Sequence, residues 1–193
     1  MSKADPAQGK KEKQRAVRWV VTIFLVTILV SGVITLVSDE IMSKSGIATS
    51  FVILLIIVLI GIVFDILGVA VTSADEAPFH SMESRKVVGS QEAIRLLRNA
   101  ERVSSICNDV IGDICGVVSG AAAATIAAQL LAKFSFSWPG MMGLLMSAFV
   151  SGVTVGGKAI GKTFAVNSST SIVHFAGKMI AMMHRKGKTP STK

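Results

Sequence analysis

Residues 51–64 read FVILLIIVLIGIVF, an apolar run inside the longer apolar segment 47–71. A helix that is apolar on every side belongs in the centre of a large core or in lipid. At about 1.5 Å per residue, a segment of this length crosses a hydrocarbon layer roughly 30 Å thick. Three more runs, residues 20–37, 106–131 and 141–157, share this character. A chain of 193 residues that is 51% hydrophobic and only 17% charged cannot enclose four such segments in one soluble core. The pattern predicts an all-α integral membrane protein with four transmembrane helices.

The charges set the expected topology. The formal charge is +8, and the Lys and Arg residues are concentrated in the two termini and in the polar stretch 72–101, beside apolar spans. That arrangement fits anionic lipid headgroups and positive-inside orientation, and it argues against a nucleic-acid groove. Residues 1–15 read as a disordered basic cytoplasmic tail. Arg15 and Arg18 abut the first span, and no small-residue cleavage site precedes Ser38-Asp39-Glu40, so the span is expected to be retained. The loop that follows carries Asp39, Glu40 and Lys44, suited to the outer side.

A membrane domain over residues 16–183 is expected to add interfacial helices at 90–102, capped by Ser90, and at 164–183, with a basic tail at 184–193. Trp138 would anchor the outer turn at the interface. Both termini then face the cytoplasm of a multi-pass protein of the cell membrane, with His174 as a structural or interfacial side chain. Cys107 and Cys115 lack nearby histidines and read as reduced, buried small residues.

One stretch breaks the apolar pattern. Residues 102–124, RVSSICNDVIGDICGVVSGAAAA, place Asp109 and Asp113 one turn apart inside the third span, beside Gly112, Gly116, Gly120 and Ala124 at spacing four. Ionisable groups at membrane depth face a bundle interior or a watery cavity, and they mark an ion path or a structural counter-charge. Depth matching supplies the opposite charge. The third span starts at the inner face and the fourth ends there, so Lys158 and Lys162 should confront Asp109 and Asp113. Asp65, which interrupts the second span, and Asp75 should approach the same cluster. The small-residue pairs Gly152/Gly156 and Gly157/Gly161 would allow close helix contact.

The order of three segments resembles the transmembrane domain of the CNNM/CorC magnesium transporter family over residues 51–183. Thr72-Ser73-Ala74-Asp75-Glu76-Ala77 is similar to the family's S-G-S-E-T-A. Cys107-Asn108-Asp109-Val110-Ile111-Gly112-Asp113 is similar to its G-N-N-x-V-N, and Gly157-Lys158-Ala159-Ile160-Gly161-Lys162-Thr163 to its G-E-x-x-P-K-[ST]. The resemblance implies a CNNM-like three-helix core, here with an extra N-terminal helix, and a homodimer.

It also implies an intramembrane Mg²⁺ site, with Thr72 in place of the first serine, Asp75 of the glutamate and Asn108 of the asparagine. Oxygen donors of these kinds suit Mg²⁺, with Na⁺ as the alternative or coupling ion. The chain departs from the family at Ala74, Gly161 and Lys158, the last replacing a carboxylate with an ammonium. The family's nucleotide-binding CBS modules have no counterpart in the short basic stretch after Met183, so regulation of that type is not expected here.

Two functions follow. In one, the chain serves divalent cation transport or homeostasis, with Asp109 and Asp113 joining Thr72, Asp75 and Asn108 around the metal. In the other, Lys158 and Lys162 neutralise the acidic site, and the chain is a non-transporting membrane scaffold or a subunit for a partner membrane protein. No enzyme is expected, since neither HExxH nor GxSxG occurs.

Overall fold

The computed structural model describes residues 6–134 and 139–186, with side chains placed over 17–134 and 140–184. Trp138 and the tail residues 1–5 and 187–193 lie outside the described residues. The fold is all-helical. Among the described residues, four helical segments are long and apolar enough to cross a membrane: Val17–Lys44, Ile47–Ser73, Ala100–Lys133 and Gly140–Asn167.

Helix α1 runs from Pro6 to Lys44. Most of the stretch expected as a disordered tail is therefore helical. Proline is well placed in a first helical turn, and the Ala, Gln, Lys and Glu that follow are strong helix formers. Beyond it, α1 exposes Phe24, Leu25, Leu29 and Leu36, a surface suited to lipid.

Helix α2 (Ile47–Ser73) is the central element, touching α1, α6 (Asp113–Lys133), α7 (Pro139–Asn167) and α8 (Ser169–Lys186). At one end Leu54, Val58, Ala122, Ile126, Met146 and Val150 bury one another with Met42. Polar ties reinforce this end. Gln129 donates through Nε2 to the Met42 carbonyl at 2.6 Å, Ser50 donates to Gln129 Oε1, and Thr125 donates to Asp39 Oδ1 at 3.1 Å.

The other end is closed by three short helices, α3 (Ala77–Ser84), α4 (Ser90–Arg98) and α5 (Ala100–Ser105). The single surface helix expected at 90–102 is thus two, separated at Asn99, whose φ of −116° leaves the helical region. Ser90 is not the cap. Gly89 holds that place with φ +91°, where a side chain is strained, and the Ser90 hydroxyl donates to Val87 O at 2.8 Å. Phe79, Ala93 and Ile94 pack there with Ala70, Val71, Ala165 and Val173.

The last spanning helix extends past the boundary expected at residue 157. It continues to Asn167 before turning at Ser168 into α8. Lys158 and Lys162 therefore belong to the spanning helix. Gly157 and Gly161 explain how it fits: Ile66 Cγ1 lies 2.7 Å from where a Cβ on Gly161 would stand, and Ile62 occupies the same space beside Gly157. Gly152 and Gly156, the other expected contact pair, face open space.

Candidate functional site

The third spanning segment is not a uniform α-helix. Between α5 and α6 the residues Ile106–Gly112 form a π-helical turn, in which each amide reaches one residue further back. Such turns are rare and recur at functional sites. This one carries Asn108 and Asp109 and ends at Gly112.

Three elements converge beside it. From α2, Asp65 is 4% exposed. From α7, the Lys158 ammonium stands 3.6 Å from Asp65 Oδ1, crossing Gly112 at 3.3 Å from where a Cβ would be. From the π turn, the Asn108 carboxamide lies against Gly68 so closely that any side chain at 68 would collide with it. Asp65 and Gly68 are one turn apart on one face of α2, so the amide and the ion pair are neighbours along that face.

The polar accounting is incomplete. Asn108 donates through Nδ2 to Ser104 Oγ at 3.2 Å, but its Oδ1 has no hydrogen-bond partner among the described residues. Oδ2 of Asp65 has none either. A charge-assisted N–H···O bond ordinarily spans about 2.7–2.9 Å, so Lys158 holds its carboxylate loosely at 3.6 Å. Two buried acceptor oxygens are left unanswered, a costly arrangement.

The residues singled out from the sequence do not all gather here. Asn108, Asp65 and Lys158 do. Asp109 and Asp113 are exposed and, among the described residues, lie within ion-pair distance of no cation; Lys162 is likewise exposed and unpaired. Thr72 is exposed one turn beyond Gly68, its hydroxyl donating to Val69 O at 2.9 Å, and Asp75 is exposed past the end of α2. No three His, Cys, Asp or Glu side chains come together among the described residues. Gly68, which admits the Asn108 amide, and Ser104, which orients it, were not singled out; Gly68 four residues before Thr72 was the available signal.

Next to the site the helix ends are tied by charge. Arg98 Nε donates to Glu76 Oε1 at 2.9 Å, and His80 Nε2 lies 3.2 Å from the same oxygen. The Arg98 hydrogen bond holds the Glu76 carboxyl below its ordinary range. From α8, His174 Nε2 donates to Val88 O at 3.2 Å, a structural role.

Fold and site define a class: an all-helical chain with four helices able to span a membrane and a polar centre where three of them meet. Comparison with protein-family models, curated proteins and solved structures gave no match.

Proposed function

We propose that this chain is a multi-pass membrane protein of divalent cation transport or homeostasis, with Mg²⁺ as the cargo. The CNNM-like core belongs to the same proposal. The observation that carries it is the pair of buried, unanswered oxygens, Asp65 Oδ2 and Asn108 Oδ1, beside a π-helical turn. Mg²⁺ keeps several of its waters and takes one or two carboxylates, so one carboxylate and one amide oxygen suffice as protein ligands. Thr72, Asp75, Asp109 and Asp113, all exposed, attract the cation from solution in this reading. Lys158 is a tethered cation resting on Asp65, and cargo binds when the ammonium swings away.

The reading predicts Mg²⁺ flux in proteoliposomes that Asn108→Ala abolishes. No flux, together with no effect of Asn108→Ala or Asp75→Ala on stability in Mg²⁺, removes it.

A second reading has support in the same ion pair. If Lys158 never leaves Asp65, the site is permanently neutralised and the chain is a non-transporting scaffold or partner subunit. Lys158→Glu separates the two, since it disrupts a neutralised cluster but strengthens cation binding at a competent site.

A further inference from the structure

Helix α8 presents two apolar faces, and the protein covers only one. Val173 is fully buried, in a cluster with Ala93 and Ile94 of α4 and with Ala70 and Val71 at the end of α2. Gly177, one turn on, brings the helix backbone to backbone against Gly89. On the opposite side Phe175, Met179, Met182 and Met183 are 64%, 47%, 48% and 73% exposed. Their spacing of four, three and one aligns them in a single stripe. Lys178 is exposed at its edge, and His184-Arg185-Lys186 follow. The helix contains no acidic residue.

The contact with Ala70 and Val71 places α8 beside the end of α2, where the apolar segment Ile47–Ser73 gives way to the short helices. Phe164 and Val166, at the end of α7, are exposed just before it.

We propose that α8 is a lipid-binding helix: Phe175, Met179, Met182 and Met183 enter the acyl layer, and Lys178 binds the phosphates of anionic lipids. An exposed apolar stripe with Lys178 at its edge, on a helix without acidic residues that packs at the end of a spanning segment, is the pattern of a helix lying in the interface. Each lysine or arginine near an anionic surface adds affinity on the order of fivefold, falling off within a Debye length. The proposal stands apart from the cation site, because it concerns a surface that Asp65 and Asn108 do not reach.

The test uses the full chain in nanodiscs of phosphatidylcholine and phosphatidylglycerol. A spin label is placed at Met179→Cys with Cys107 and Cys115 replaced, and the lipid-facing Ile160→Cys serves as reference. Oxygen should reach the label more readily than a water-soluble nickel chelate, as at the reference. Preferential access by the chelate, or access by neither, overturns the proposal, the latter by showing that a protein covers the stripe.

If the cysteine replacements fail to fold, Phe175→Trp with Trp19→Phe and Trp138→Phe gives the same reading through bromine quenching. With bromine on phosphatidylglycerol, quenching should exceed that with bromine on phosphatidylcholine several-fold, and Lys178→Gln should reduce the difference. Equal quenching by both lipids contradicts the anionic preference.

Discussion

The Lys158 ammonium stands 3.6 Å from Oδ1 of the buried Asp65, joining α7 to α2 at the level of the π-helical turn. Removing one partner from such a pair leaves a charge without an answer. Asp65→Asn is therefore expected to lower stability by about 3 kcal/mol, read as a fall in melting temperature in detergent. The double change Asp65→Asn/Lys158→Met should recover most of the loss. Equal losses in the single and double variants would show that the pair is not coupled.

Gly68 is the second constraint on the site. Gly68→Ala drives a methyl group into the Asn108 amide and should cost about 1–3 kcal/mol, as overpacking does. Gly116→Ala is the control, because a Cβ there meets open space, and it should change stability by less than about 0.5 kcal/mol. Comparable losses at 68 and 116 would contradict the contact.

These two sites also show what the sequence could tell. The four spanning segments were legible because hydropathy and length suffice to mark them, and Asp65 was legible as a residue that must point toward protein. Depth was legible too, and it placed Lys158 level with the acidic residues of the third span. Which acid Lys158 meets was not, because depth leaves helix rotation free. Rotation of α7 is set by Gly157 and Gly161 lying on Ile62 and Ile66, and that turns Lys158 toward α2. The π turn was equally hidden, since ICNDVIG contains no proline or other local signal for it.

The crossing of α4 and α8 depends on Gly177. A Cβ there would strike the Gly89 carbonyl and approach Ala93 N to 2.9 Å. Gly177→Ala is expected to loosen α8 by about 1–3 kcal/mol, seen as faster proteolysis after Lys178 while the spanning helices stay protected. Unchanged cleavage would argue against the close approach.

The Glu76 carboxylate, held below its ordinary range by Arg98, gives a pH dependence. A depressed folded-state pKa means that the stabilisation is fully present above the ordinary carboxylate range and is lost as pH falls through the folded value. The melting-temperature difference between wild type and Arg98→Ala should hold near neutrality and shrink in acid. A difference that grows in acid would reverse the sign and exclude the pair as its source.

The central claim, that a cargo cation and Lys158 compete for the oxygens of Asp65 and Asn108, is tested most directly by titrating purified protein with Mg²⁺ in a calorimeter. Wild type should bind saturably, Asn108→Ala should not, and Lys158→Gln should bind at least about tenfold more tightly because a repelling unit charge has been removed. Saturable binding absent from both wild type and Lys158→Gln, with both proteins folded, would contradict the account.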